Sequence, residues 1–298
     1  MLNKNVLITG GTGFLGSHVV EKLLEKGSKI FVTYRSLNPQ QYFYKKKFNE
    51  KVVMVNCDIK DFKRVTDIIS KYEIDYIFHF AAQPIVDVAY KHPYETLMSN
   101  IIGTANILEA SRLCNTLKGV LIFTSDKAYG KTDKLPYYED SPLKGNHPYD
   151  CSKSCADLIA QTYYKTYGIP LVIVRSGNIF GPGDLNFNRI IPGVIKSILN
   201  KELFQIRSDG KMIRDYVYVK DVANACILII ENIDKIKGEA FNIGGGNIYN
   251  VFGIISFIEQ ILNLEVKKDI LNIAKNEIPE QYLNYDKIKS MLGWNNEI

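Results

Sequence analysis

The stretch 8-ITGGTGFLGSH-18 decides the fold. It follows an apolar run, 4-KNVLIT-9, that reads as a buried strand. It opens a helical pattern from about Phe14 to Lys26, which Gly27 closes as a C-terminal glycine does. The turn between them reads as Gly11-x-Gly13-x-x-Gly16 or as Gly10-x-x-Gly13-x-x-Gly16. In either register the missing side chains let backbone N–H groups approach a pyrophosphate. The helix that begins at Phe14 and Leu15 turns its positive end toward it. A lone glycine motif is weak evidence, but at the first strand–helix junction of an alternating chain it is specific.

The alternation continues. Strands are predicted at 29–34 (KIFVTY), 52–56 (VVMVN), 74–80 (EIDYIFHF without its first residue), 119–124 (GVLIFT) and 171–175 (LVIVR). Helices are predicted at 62–72, 93–114 and about 149–167, the last ended by Gly168. This is the pattern of an α/β protein: a Rossmann-type, doubly wound parallel sheet with helices on both faces. After Arg175 the segments shorten and become rich in Gly, Asn and Pro. A strand and helix within 216–230 and a strand at 239–243 are expected to return to the sheet, and 251–262 is amphipathic. The expected organisation is a dinucleotide-binding domain over 1–176, to which 214–245 returns. A smaller mixed lobe for substrate takes 177–213 and 246–298.

Composition narrows the classes. Hydrophobic content of 46% and charged content of 23% are ordinary for a soluble globular chain. The net charge of +5 is spread along the sequence, which suits a small anionic substrate better than a nucleic acid. The basic run Lys45-Lys46-Lys47 reads as a solvated face. Cys57, Cys114, Cys151, Cys155 and Cys226 show no paired-ligand spacing, so no metal site or disulfide framework is expected. Free thiols fit a reducing cytoplasm, and no signal peptide or membrane-spanning run is visible.

Ligands of such sheets bind at the C-terminal ends of the strands. The second strand ends in 33-TYRSLN-38, with no carboxylate for a ribose 2′-hydroxyl. Arg35 and Ser36 suit a 2′-phosphate instead, which leans from NAD to NADP. Asp58 and Ile59 follow the third strand at the expected place of adenine. Phe80, Ala81 and Ala82 follow the fourth, under ribose and nicotinamide. Tyr149 and Lys153, i and i+4 on one helix, share a face. A phenol of pKa about 10 is a poor base at neutral pH. An ammonium beside it and a positive nicotinamide are expected to lower that value. With Ser125 at the end of the fifth strand, the pattern predicts oxidation of an alcohol. His79, inside an apolar strand, reads as a core histidine, and His147 as a residue that positions its loop.

The segments GGTGFLG, HFAAQP, TSDKAYG, YDCSK and RSGNIFGPGD, in this order and spacing, resemble the extended short-chain dehydrogenase/reductases that act on nucleotide sugars. This is the NAD-dependent epimerase/dehydratase family. The resemblance runs from about residue 4 to 294. Three local features, 81-AAQPIV-86, Ser125-Asp126-Lys127 and 178-NIFGPGDLNFNRIIP-192, are closest to the CDP-glucose 4,6-dehydratases. It implies a lyase that converts an NDP-hexose to its 4-keto-6-deoxy form for glycan synthesis. Tyr149 would deprotonate the 4-hydroxyl and Ser125 would bond the 4-oxygen. Lys127 would take the C5 proton and Asp126 would protonate the leaving 6-hydroxyl, before hydride returns to C6. The alternative for Asp126 and Lys127 is a plain ion pair. The alternative reaction is a nucleotide-sugar 4-epimerase or 4-dehydrogenase using the same Tyr149 and Lys153. A non-catalytic dinucleotide sensor is disfavoured by the intact Ser125, Tyr149 and Lys153.

The same resemblance suggests Asn178 and Arg214 near the substrate phosphates, with Gln83, Asn188 and Arg189 as further substrate contacts. It also suggests a homodimer through the 93–114 and 149–167 helices. The chain departs from many relatives at 279-PEQYLNYD-286, where Glu280 and Gln281 stand in place of an arginine. The base of the nucleotide is therefore not legible.

Overall fold

The computed structural model describes residues 3–273 and 277–298. Residues 1–2 and 274–276, which fall within the expected domain ranges, lie outside the described residues. In chain order the first elements are β1 (Asn5–Thr9), α1 (Phe14–Glu25), β2 (Lys29–Tyr34), α2 (Tyr42–Lys45), β3 (Val53–Asn56), α3 (Phe62–Lys71) and β4 (Tyr76–His79). There follow α4 (Val86–Lys91), α5 (Pro93–Leu97), α6 (Gly103–Arg112), β5 (Gly119–Ser125), α7 (Pro148–Tyr167) and β6 (Leu171–Ser176). The next are β7 (Asn178–Phe180), α8 (Ile190–Asn200), β8 (Phe204–Ile206), β9 (Ile213–Tyr218), α9 (Val219–Glu231), α10 (Ile233–Ile236) and β10 (Ala240–Ile243). The last are β11 (Asn247–Asn250), α11 (Val251–Leu262), β12 (Lys268–Ile270), β13 (Glu280–Gln281) and α12 (Asp286–Leu292).

The main sheet has seven strands in the order β10-β6-β5-β4-β1-β2-β3, every pair parallel. Such a sheet must be covered on both faces, and its strands are largely apolar and buried. On one face α1 and α9 bring Val19, Leu23, Val222 and Ile229 against Val6, Ile8 and Val174. On the other, α3, α6 and α7 bring Ile68, Ile107 and Ala160 against Leu7, Ile77 and Ile173. Successive strands run outward from β1 in one direction through β2 and β3, and in the other from β4. The reversal opens a crevice at the C-terminal ends of β1 and β4, where open α/β sheets bind ligands. Beside it, β11, β9, β13 and β7 form a smaller mixed sheet and β12 pairs β8. There α8 and α11 enclose a separate apolar cluster that includes Val194, Ile206, Ile254 and Ile255.

The helix expected over 93–114 runs from Pro93 to Arg112, with one turn of it wound as a π-helix. This wide π-turn over Met98–Ile102 joins α5 to α6. The turn aims Asn100 inward, where it donates to Ser152 Oγ at 2.9 Å and accepts from the Gln83 N–H at 2.7 Å. Apolar periodicity does not register such a polar insertion. A separate short helix, α4, precedes it and was not expected.

One buried ion pair fastens the sheet to α7. Arg175 on β6 donates Nε–H and Nη2–H to the two Asp157 carboxylate oxygens at 2.7 and 2.8 Å, with side chains 2% and 0% exposed. Thr124 donates to Asp157 at 3.2 Å, and Arg175 donates to the Tyr129 hydroxyl at 2.9 Å. Tyr129 in turn donates to Asn242 of β10 at 2.6 Å. Removing one charge leaves the other buried and unpaired. Asp157→Ala is expected to lower the unfolding free energy by about 3–5 kcal/mol, read as a fall in the urea midpoint. A change within experimental error would show that the pair is dispensable.

Candidate active site

Ser125 ends β5, and a short 3₁₀ turn, Asp126–Tyr129, begins at once. The Ser125 hydroxyl accepts from the Lys127 N–H at 3.3 Å and donates to Asp126 Oδ1 at 3.0 Å. Asp126 is buried, and its other oxygen, Oδ2, has no hydrogen-bond partner among the described residues. Burial pushes this carboxyl above the usual range, against the opposing pull of Lys127 and of the Ser125 hydrogen bond. Lys127 points elsewhere: its Nζ donates to Gln281 Oε1 at 3.1 Å. Asp126 and Lys127 form no direct ion pair among the described residues, so the plain ion-pair alternative is not what the structure contains.

Tyr149 and Lys153 enter on the first turns of α7. The His147 imidazole caps this helix, accepting from the Tyr149 N–H at 3.3 Å, and Pro148 opens it. His147 thus positions the loop, as expected. His79 is likewise a core residue, held between Thr9 at 2.7 Å and Thr104 at 3.1 Å, and burial drives its pKa to about 3. Lys153 donates to the Phe123 carbonyl at 3.1 Å, and burial lowers its amine to about 8. The phenol corrects the sequence argument: burial raises Tyr149 to about 12, outweighing the lowering influence of Arg189 and of a hydrogen bond to Ser125. Desolvation penalises the phenolate more than the protein's own cations favour it. A cationic ring bound beside it acts in the direction the phenol needs.

The crevice at the strand ends is a cleft of about 470 Å³. Gly10, Gly13, Phe14, Leu15 and Gly16 form one wall, Phe80, Ala81 and Ala82 the next, and Ser125, Asp126, Lys127, Tyr149 and Lys153 the floor. The glycines are steric necessities. Gly10 has φ +69°, and a Cβ there would lie 2.8 Å from the Ala81 nitrogen. A Cβ on Gly16 would strike the Gly10 carbonyl. Gly13 caps α1, leaving its N–H groups facing the cleft. This cradle fits a dinucleotide pyrophosphate. Asn178, Asn188, Arg189 and Arg214 also line the cleft and continue into an adjoining cavity of about 200 Å³ against α8 and β8.

Five candidates are not among the cleft walls. Gln83 is a brace: its amide donates to the Ile85 carbonyl at 2.9 Å and to Thr96 at 3.1 Å, and accepts from the Ile85 N–H at 2.6 Å. Ile59 is packed over Gly103. Asp58 accepts from the Lys60 N–H at 3.0 Å. Arg35 and Ser36 are exposed just beyond β2, which pairs with β3, so they share the sheet's binding edge with Asp58.

Sequence reasoning missed Arg207, Glu277 and Asp87, all on the cleft. Three arginines there are each held by a carboxylate: Arg189 by Asp184 at 3.1 Å, Arg214 by Glu277 at 3.3 Å, and Arg207 by Asp87. Arg207 follows the three-residue β8, too short to show a period, so no signal marked it.

Comparison with known proteins agrees with this geometry. Residues 6–244 match the model of the NAD dependent epimerase/dehydratase family. A trifunctional UDP-glucose 4,6-dehydratase/UDP-4-keto-6-deoxy-D-glucose 3,5-epimerase/UDP-4-keto-L-rhamnose-reductase of Arabidopsis thaliana is 29% identical, over 98% of this chain but 44% of the relative. The chain thus spans less than half of that protein's length. CDP-glucose 4,6-dehydratase of Salmonella typhimurium is 32% identical over 77% of this chain and 67% of the relative. Among solved structures, UDP-glucose 4-epimerase of Thermotoga maritima with UDP-glucose superposes with a TM-score of 0.90, 29% identity and coverage of 99% and 94%. The dTDP-glucose 4,6-dehydratase DesIV of Streptomyces venezuelae, with NAD bound, gives 0.89, 26%, and 99% and 92%. The chain belongs to the NAD-dependent epimerase/dehydratase family. Among the described residues no helix is long and apolar enough to cross a membrane, and no cluster of His, Cys, Asp or Glu is placed to hold a metal.

Burying Lys153 costs stability. Its folded pKa of about 8 lies below the unfolded value of 10.5, so the folded state gives up its proton first as pH rises. The penalty is full below the folded value and is lost as pH climbs through the unfolded one. In protein freed of bound nucleotide, Lys153→Met is expected to raise the unfolding free energy at pH 7 by roughly 3 kcal/mol. That gain should shrink across the window between the two pKa values. Denaturant melts of both proteins over this range check it; a gain independent of pH would contradict the assignment.

Proposed function

We propose that the chain is a nucleotide-sugar 4,6-dehydratase, converting an NDP-hexose of the CDP-glucose kind to the NDP-4-keto-6-deoxyhexose. The observation that carries this reading is Asp126: a buried carboxyl on the cleft floor, raised by burial, with one oxygen unpartnered among the described residues. A carboxyl kept protonated is what a leaving hydroxyl needs. C4 oxidation alone has no use for it.

The residues divide the work by their reach. Tyr149, as a phenolate favoured by a cationic ring bound beside it, would take the proton of the 4-hydroxyl, and Ser125 steadies the 4-oxygen as it becomes a carbonyl. The dinucleotide, NAD or NADP, supplies hydride acceptance and return when bound. The new ketone acidifies C5–H. Lys127 removes that proton while Asp126 protonates the departing 6-oxygen, so one water leaves. The glycine turn, Phe80, Ala81, Ala82, Tyr149 and Lys153 are the cofactor's contacts, with Asp58, Ile59, Arg35 and Ser36 toward the adenosine end. NAD is the dinucleotide printed for the Streptomyces structure. Exposed Arg35, which makes no ion pair among the described residues, keeps a 2′-phosphate acceptable. Asn178, Asn188, Arg189 and Arg214 face the substrate diphosphate and nucleotide. On this reading 1–176 and 214–245 carry the cofactor, and 177–213 with 246–298 carry the nucleotide.

A second reading, a 4-epimerase or 4-dehydrogenase, is favoured by the fold likeness to the Thermotoga epimerase. The comparisons as a whole lean toward it. It would use Ser125, Tyr149 and Lys153 alone. We also propose that α5, α6 and α7 pair with a second copy, since Tyr94, Ile102, Leu158 and Tyr167 are exposed on them and on the π-turn between.

The test is product mass across a panel of nucleotide sugars, CDP-glucose included, with no cofactor added. The expected result is loss of one water. Asp126→Asn should slow that loss by about 10²-fold or more while C4 oxidation persists. Interconversion of C4 epimers without mass change would replace this reading by the second.

A further inference from the structure

Gln281 is the residue that the Lys127 amine touches and that no motif explains. It lies in β13, which runs parallel to β9 with Gln281 opposite Arg214. The chain then passes beside Tyr137, whose N–H donates to the Tyr282 carbonyl at 3.0 Å, while the Asn284 N–H donates to the Tyr137 carbonyl at 2.9 Å. These contacts carry Gln281 under the cleft floor, wholly buried. There its Oε1 accepts from Lys127 Nζ at 3.1 Å, and its side chain also meets the Tyr137 hydroxyl. Leucine would fill a similar volume but offer Lys127 no acceptor, so packing alone does not account for the glutamine.

We propose that Gln281 is a positioning residue for Lys127, fixing its Nζ on the cleft through an uncharged acceptor. The inference rests on the dehydratase reading. A neutral amine has two N–H bonds and one lone pair. An amide oxygen takes one N–H and orients the nitrogen without adding charge. A carboxylate in the same place would hold the lysine as an ammonium, which has no lone pair to offer.

The other charged groups around Lys127 fit this arrangement. Asp126 on its own turn and Asp150 on α7 stand near it, and burial drives both carboxyls upward, Asp150 to about 6. His147, at the start of α7, is lowered chiefly by burial. Arg214 on β9 and Glu277 form their own pair at 3.3 Å. Tyr137 is held high by burial and stays a neutral phenol. The amide is thus the acceptor that Lys127 uses.

The experiment measures pH profiles of two steps, C4 oxidation and water loss, in wild type, Gln281→Glu and Gln281→Leu. In Gln281→Glu the acid limb of water loss should move up by one to three pH units, a 10- to 1000-fold loss on that limb that alkaline pH restores. Gln281→Leu should slow water loss at every pH without moving the limb. C4 oxidation should be unchanged in both. A structural role would reduce both steps together, and that result, or an unmoved limb in Gln281→Glu, overturns the proposal. If wild type itself loses no water, the dehydratase reading falls and this inference with it; normal water loss in wild type with unaffected variants overturns the inference alone.

Discussion

The Arg175–Asp157 pair is the constraint on which the site depends. Asp157 lies one helical turn beyond Lys153, and Thr124, which also binds it, precedes Ser125. Tyr129, bonded to the guanidinium, ends the turn that carries Asp126 and Lys127. Strand β5, the catalytic turn, helix α7 and strand β6 are therefore tied to a single pair of charges in the protein interior. Such pairs are poor sources of net stability against apolar replacements. What this one provides is registration: Tyr149 and Lys153 cannot rotate about α7 without exposing a buried charge.

On that frame, burial sorts the titratable groups. It lowers Lys153 to about 8, raises Tyr149 to about 12 and raises Asp126, so three groups within one cleft are pushed toward their neutral forms. A neutral carboxyl can give a proton and a neutral amine can take one, which an interlocked ion pair cannot do, whereas the phenol must first be ionised to act as a base. The positive charge of the cleft sits farther out, on Arg189, Arg207 and Arg214, each parked on a carboxylate. A substrate diphosphate competes with acids for these guanidinium groups, which suits them to bind an anion reversibly.

The alternating half of the chain was legible because buried parallel strands and amphipathic helices leave strong periods. Strand β2 and helix α11 fall on the expected residues, and Gly27 and Gly168 end their helices with φ of +70° and +69°. The glycine turn, Ser125, Tyr149 and Lys153 were legible because backbone geometry and helical spacing tie them to fixed residue types. The rest depended on contacts between distant segments. Asn100 sits in the π-turn and bonds to Ser152, which no local pattern announces. Gln281 meets Lys127 across 154 positions, through a two-residue strand. The phenol's upward shift was missed because a sequence lists charges and not their depth.

The measurement that bears most directly on the account follows the C4 hydrogen. A nucleotide sugar carrying deuterium at C4 is turned over, and the product is located by NMR. The account predicts that the deuterium is found on the C6 methyl group of a 4-keto product that has lost water, because Asp126 and Lys127 empty C6 of its hydroxyl before hydride returns. Deuterium back at C4, in a sugar of inverted configuration and unchanged mass, would contradict it.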